Sequence, residues 1–567
     1  MVGKKKVAAG VAALAVLVGV GLGVYKGMRP RFDGAISALA VDLAAPYAYV
    51  STPALSRLPR DIIKAPVVRD LLTEDFAFYY EEQEDRLSLR GALKRIAYEH
   101  ETTLSDQLVA TALDEPAEMA WWPDAKGAPR YWMLAMTRGV LATALQGMAG
   151  VAAQDSQLSI IAPVRVNGSD VNAYALVLSP RRTLVLLSQG NRVVVLSDPG
   201  LLFGDEKQPD GHALEVVAGL LSGDRGKQSA WRRGFGLGEA NAEAVAGQGG
   251  STIVADARLL SFGYQHFFPG IQALRFDVAA NGASLRTALR VKGGGTLPAA
   301  PGDRALWSAL PADPAACTLL PAEWAQMEGV MAGATSAEAK DGKDSKDGKD
   351  APRPPDAAAW KAFTAQLEGP AAVCWYARSQ LHTPLFVAQT KADAGSGNDA
   401  VLAALARWIV PAKASALDAA APQGAALWRS EVEAPWGPAN DGYQPTLARQ
   451  GRWIMFSPDD KLVDLALNTQ AKRYPSVLDA LPQAAGTTLA VGAPAQIAKL
   501  LQREAFAVLP ADQEVLLQAA RQHLVPRFDA LRKLPPARAV ASGAADGNGW
   551  VPVDWQTVAA AQVPQGK

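Results

Sequence analysis

Hydrophobic and polar positions alternate in three regimes along this chain. Residues 7–24 read VAAGVAALAVLVGVGLGV, with no charged or strongly polar side chain. As a helix at 1.5 Å per residue, such a run spans about 27 Å, close to a ~30 Å hydrocarbon core. Lys4, Lys5 and Lys6 supply the positive flank expected on the cytoplasmic side. The small-x-small site of a signal peptide is missing just after the run, so the pattern predicts an uncleaved signal anchor with the rest of the chain in the periplasm.

The second regime consists of short apolar runs cut by turn signals. Between residues 156 and 197 the breaks fall at Asn167-Gly168, Ser179-Pro180 and Gln189-Gly190-Asn191. Asn-Gly pairs suit the type I′ turns of hairpins, which predicts an antiparallel meander. The meander ends at Asp198-Pro199, and a similar break stands at Ser457-Pro458. Each is read as a helix cap followed by proline at the first helical position, with Asp460 completing a capping-box-like pattern. Helical period and caps also predict helices over 89–99, with a basic stripe of Arg90, Lys94 and Arg95, over 103–113 and over 140–148. The third regime is residues 334–357, where Lys alternates with Asp and no large apolar residue occurs. That composition predicts a disordered insertion; the EF-hand spacing is absent, so calcium is not expected there.

The apolar words recur in order. LDEPAEMAWW (113–122) returns as LEGPAAVCWY (367–376), and YWMLAMT (131–137) has a counterpart in LFVAQT (385–390). QGNRVVVLSDPGLL (189–202) is answered by QGRWIMFSPDDKLV (450–463), and GSTIVADARLL (250–260) by GTTLAVGAPAQI (486–497). AAPYAYVST (44–52) has a weaker echo in ADPAACTLL (312–320). Five matches in one order predict a tandem duplication. The expected architecture is therefore an anchor at 1–30, an α+β module at 31–300 and a second at 301–567. In each, helices are expected to cover one face of an antiparallel meander sheet.

Composition narrows function more than it defines it. With 49% hydrophobic residues the chain can bury several cores, and 56 basic against 56 acidic residues argue against a dedicated nucleic-acid binder. The balance hides a polarity, because residues 1–31 hold six cations and no acid while the remainder carries −6. Two cysteines and five scattered histidines leave little material for a metal site. No GxSxG, SxxK, HExxH, CxxC or Walker A motif is present. The glycine-rich segment 234–238 follows no apolar strand and reads as a mobile loop, so neither nucleotide nor other cofactor is expected. Most of the 14 tryptophans read as core residues rather than a ligand groove.

Two features remain as candidates for specific tasks. LLTEDFAFYYEEQEDR (71–86) interleaves acids with aromatic rings. Its ordinary reading is an acidic rim over inward rings; its functional reading is a contact surface for another protein, bordered by Glu74, Asp75, Glu81 and Glu82. The repeat alignment places Cys317 and Cys374 in the first and second strands of the second module, aligned in sequence with Tyr49 and Ala120 of the first. A periplasmic disulfide joins them if those strands are neighbours with Cα atoms about 4.4–6.8 Å apart; otherwise they are buried thiols.

The run SRLPRDIIKAPVVRDLLTEDFAFYYE (56–81), with RIAYEH (95–100) and LDEPAEMAWW, resembles the YfaA-like family of uncharacterised Gram-negative envelope proteins, domain of unknown function family 2138. The resemblance is strongest over residues 42–198. It implies an inner-membrane-anchored periplasmic protein, encoded near a bacterial alpha-2-macroglobulin-like protease trap, with no established catalytic residues to carry over. The expectation is a non-catalytic scaffold or accessory protein of an envelope-defence assembly. The alternative is a periplasmic hydrolase acting on envelope polymers or peptides, its triad assembled in space.

Overall fold

The computed structural model describes residues 32–54, 58, 116–124, 129–137, 158–179, 182–222, 230–237, 250–260, 270–280, 284–292, 303–320, 322, 324, 356–391, 395–409, 414–416, 424–430, 434–435, 442–482, 488–507 and 514–558. The predicted anchor, the helices at 89–99, 103–113 and 140–148, and nearly all of the Lys/Asp insertion lie outside these residues. Among the described residues no helix is long and apolar enough to cross a membrane. The chain forms two compact units, one of residues 1–259 and 273–286, the other of residues 260–272 and 287–567.

Unit one is built on β1 (Ala48–Thr52), β2 (Ala117–Pro123), β3 (Pro129–Thr137), β4 (Leu158–Val166), β5 (Ser169–Ser179), β6 (Arg182–Gln189), β7 (Arg192–Leu196), β8 (Ser251–Asp256) and β9 (Ile271–Val278). Its antiparallel sheet runs β9-β8-β1-β2-β3-β7-β6-β5-β4. The β4–β7 meander forms where the turn residues predict it. Asn167 and Gly168 both take positive φ, 50° and 77°, as a type I′ turn requires. The last meander strand then returns to pair with β3, bringing Met133 opposite Leu196.

Unit two contains β10 (Leu285–Val291), β11 (Ala316–Leu320), β12 (Leu367–Trp375), β13 (Leu385–Thr390), β14 (Ala414–Ala416), β15 (Ala425–Ser430), β18 (Thr446–Gln450), β19 (Trp453–Ser457), β20 (Thr488–Gly492), β21 (Ala537–Ala541) and β22 (Trp550–Thr557). Its sheet runs β10-β22-β21-β20-β11-β12-β13-β19-β18-β15-β14, again antiparallel throughout. A separate pair, β16 (Ala434–Pro435) and β17 (Gly442–Tyr443), stands apart from it. From β8 to β4 in unit one and from β20 to β14 in unit two, hairpins follow in the same order.

The helices are α1 (Gly211–Ser222) and α2 (Ala230–Gly234) in unit one. Unit two has α3 (Asp303–Ala309), α4 (Ala357–Thr364), α5 (Asp399–Ile409), α6 (Asp460–Gln470), α7 (Val477–Ala480), α8 (Pro494–Ala507), α9 (Glu514–His523) and α10 (Val525–Arg532). Together they make an α+β fold of antiparallel sheet and helices.

Helices were expected on one face of each sheet, and unit two departs from this. Leu306 and Trp307 of α3 with Leu462, Val463 and Leu467 of α6 pack on Cys374, Val387, Ala448 and Met455. Neighbouring strand positions face the other way, where Leu447 and Ile454 meet Trp360 and Phe363 of α4 and Leu402 and Ala406 of α5. Successive side chains of a strand point to opposite faces, so both faces are covered. That is why β7 and β19 read as continuous apolar runs rather than alternating ones. In unit one the same signature holds, since residues 193–196 are all fully buried.

The strand-to-helix punctuation also differs in detail. After β7, Asp198 caps only a three-residue 3-10 turn, Pro199–Leu201, and α1 begins later. After β19 the cap is Asp459 rather than Ser457: its side chain accepts from Lys461 N, while Ser457 Oγ accepts from Asp459 N at 3.0 Å. Pro458 thus precedes the cap instead of opening the helix.

Candidate functional site

The acidic side chains proposed to border a contact surface, Glu74, Asp75, Glu81 and Glu82, lie outside the described residues. The two cysteines do not. β11 and β12 are neighbours, Cys317 pairs directly with Cys374, and the two form a disulfide with Cα atoms 4.0 Å apart. Both are essentially inaccessible to solvent. In unit one the first two strands place Tyr49 opposite Ala120.

That difference opens a polar island in unit one. Ser51 pairs with Glu118 two residues from the Tyr49–Ala120 pair, so all four share one face. Trp231 and Phe235 each pack against the Tyr49 ring at 6.2 Å, Trp231 edge-on, and Trp231 in turn meets Trp122 edge-on at 5.9 Å. The two indoles donate to the backbone of the preceding segment, Trp122 Nε1 to Asp42 O at 2.8 Å and Trp231 Nε1 to Leu43 O at 2.9 Å. Burial pushes the Tyr49 phenol well above its ordinary range, and the Glu118 carboxylate adds to the shift. The face of β11 and β12 that carries the disulfide presents Cys317, Cys374, Leu319 and Ala372, all buried and apolar. Strand periodicity places Glu118 on the face of Ala120 and Trp122, so this inward acid was readable from LDEPAEMAWW; the motif search passed over it because no partner residue stands nearby in sequence.

The described histidines do not converge. His212 of α1 stands 3.2 Å from Asp42, both side chains 60% exposed, while His382 meets the Tyr443 ring edge-on in unit two. His523 ends α9. His100 and His266 lie outside the described residues. Among the described residues no group of three or more His, Cys, Asp or Glu side chains is arranged to hold a metal. The glycine-rich segment, expected to be a mobile loop, is a packed turn over residues 235–237: Phe235 and Leu237 are buried and Gly236 takes φ 61°. Among the described residues, tryptophan serves the core at positions 122, 231, 307, 360, 428 and 550, whereas Trp555 is 54% exposed.

Unit two also carries a groove that sequence reasoning missed. It is a shallow, open groove of about 520 Å³, lined among the described residues by Lys499, Gln502, Arg503, Phe506 and Ala507 of α8 and by Arg532 at the end of α10. Positions 499, 502, 503 and 506 follow the i, i+3, i+4, i+7 spacing of one helix face. Their mixed polarity hid that face from a search for apolar stripes.

With this architecture in view, the chain's affiliation is clear. A family model described as an uncharacterized protein conserved in bacteria, DUF2138, matches residues 4–555, and the chain belongs to that family. The uncharacterized protein YfaA of Escherichia coli (strain K12) is 31% identical to it, the alignment covering 91% of each chain. Among solved structures, crystal form III of TP0453 aligns with 45% of this chain and 81% of its own at 10% identity. Its TM-score of 0.20 carries no argument about fold.

Proposed function

We propose that this chain is a single-pass inner-membrane protein whose bulk stands in the periplasm, where two modules of one duplicated plan act as a non-catalytic scaffold or accessory in an envelope-defence assembly. The observation that carries the location is the buried Cys317–Cys374 disulfide. Disulfides persist in oxidising compartments and are rare in the cytosol. The apolar run 7–24 with its lysine flank supplies the anchor. The duplication is supported by the shared hairpin order and by the equivalent placing of Tyr49–Ala120 and Cys317–Cys374.

The contact surface in this reading is bordered by Glu74, Asp75, Glu81 and Glu82, and its partner is another envelope protein of alpha-2-macroglobulin-like type. Rim charges steer such encounters and are screened by salt. Charge reversal at the four acids is expected to abolish in-cell crosslinking to that partner with little change in melting temperature. Unchanged crosslinking rejects the surface. A C-terminal alkaline phosphatase fusion is expected to be active on a chain that keeps Lys4, Lys5 and Lys6, and an inactive fusion rejects the location.

A further inference from the structure

The groove between α8 and α10 has a chemistry of its own, independent of the envelope reading. Among the described residues that line it, Lys499, Arg503 and Arg532 are cationic and none is acidic. Arg532 is already engaged, donating to Asp529 and to Gln502. Arg503 is not: its Nε and Nη2 are buried and donate to nothing among the described residues. Buried guanidinium N–H groups without acceptors are costly, and native proteins rarely keep them without a reason. Lys499 lies one turn away on the same face and is exposed at the groove's rim. The remaining wall is apolar, formed by Phe506 and Ala507 with the methylene stems of the long side chains. A volume of about 520 Å³ falls within the range of small-ligand sites.

We propose that this groove binds a small amphipathic anion. Its phosphate or carboxylate group is received at the rim by the exposed Lys499, with the Arg503 guanidinium supplying a second positive charge in the groove wall. Its apolar arm lies along Phe506 and Ala507. One chemistry covers two sources, a free organic anion or phosphate and the headgroup region of an acidic lipid.

Calorimetric titration of the purified full-length chain separates them, using inorganic phosphate, dihexanoyl phosphatidic acid and dihexanoyl phosphatidylcholine as probes. The expected result is saturable, salt-sensitive binding of phosphatidic acid and none of phosphatidylcholine. Phosphate binding as tightly as phosphatidic acid assigns the site to free anions, whereas Phe506→Ala weakening only the lipid assigns it to lipid. Arg503→Gln and, separately, Lys499→Gln are expected to weaken anion binding about tenfold each, with Arg503→Lys retaining part of it. Lys499 is exposed, so its variant tests the groove without threatening the fold. Absence of binding by either anion, equal binding of phosphatidylcholine, or unaltered affinity in both glutamine variants overturns the proposal.

Discussion

Asp459 and Asp479 both accept hydrogen bonds at helix starts in unit two, and their surroundings move them in opposite directions. Asp459 is buried at the cap of α6, and desolvation outweighs the bond from Lys461 N and pushes its carboxyl up. Asp479 sits in the capping box of α7, where the backbone and hydroxyl of Ser476 hold it below the usual carboxylate range. The signs follow. A raised folded-state pKa means that ionised Asp459 costs stability at neutral pH, a cost relieved as the pH falls through that pKa. Asp459→Asn keeps the cap, so its denaturation midpoint at pH 7 is expected to equal or exceed wild type, the difference closing below about pH 4. A depressed pKa means that Asp479 contributes stability above its ordinary pKa and loses it as acid titrates the folded form. Asp479→Ala is expected to lower the midpoint at pH 7 and to converge with wild type in strong acid. Urea titrations across pH 3–7 read both. The cysteine pair is the other residue-scale lever. Closing a loop with a sequence separation of 57 stabilises by about 4 kcal/mol in the chain-entropy view. Replacing both cysteines by Ala is expected to lower unit-two stability by that order in urea melts, and coincident melts would deny it. The strand positions of the two cysteines and the inward side of Glu118 could both be read from strand period, whereas the meeting of the Glu118 face with Tyr49 across β1 and β2 carried no motif.

Among the elements, α5 shows how a helix is pinned to the sheet beneath it. Asp399 stands in its first turn, where the helix dipole favours an acid, and accepts from Arg449 of β18 at 2.6 and 3.1 Å. The Arg449 side chain is only 8% exposed, so truncating its partner strands a buried cation. Asp399→Ala is expected to cost about 3 kcal/mol, and adding Arg449→Met to restore most of it. Chemical denaturation of the single and double variants decides; additive losses would mean that the pair is not coupled. Strands were the most legible elements, with β13 occupying the whole of the LFVAQT word. Helix starts were less so. At Ser457-Pro458 three capping residues compete within four positions, and only backbone geometry selects Asp459. The second helical layer was missed for a physical reason. A strand covered on both faces loses the alternation that reports which face is inward, as residues 193–196 do.

At the scale of the whole molecule, the ordered repeat words carried much of the topology. These words fall on β1, β2, β3, β7 and β8 of unit one and on β11, β12, β13, β19 and β20 of unit two. What the words could not carry is the content of the connections, where function is most often lodged. The acidic-aromatic segment falls in sequence between β1 and β2, and the α8–α10 groove lies beyond the last of these words, which reaches only the first turn of α8. The cross-strand disulfide has one more consequence here. Residues 318–373 lie between its two sulfurs and include Lys340, Lys343, Lys346 and Lys349. The segment is therefore part of a closed covalent ring, and a ring severed once is still a single connected object. A protease that cuts at any of those lysines is expected to change nothing on a non-reducing gel and to release two fragments once thiol is added. Fragments that part without reductant would show the ring to be open. A partner or inhibitor that provokes cleavage there thus leaves both halves in one molecule, and the nick stays silent until the bond is reduced.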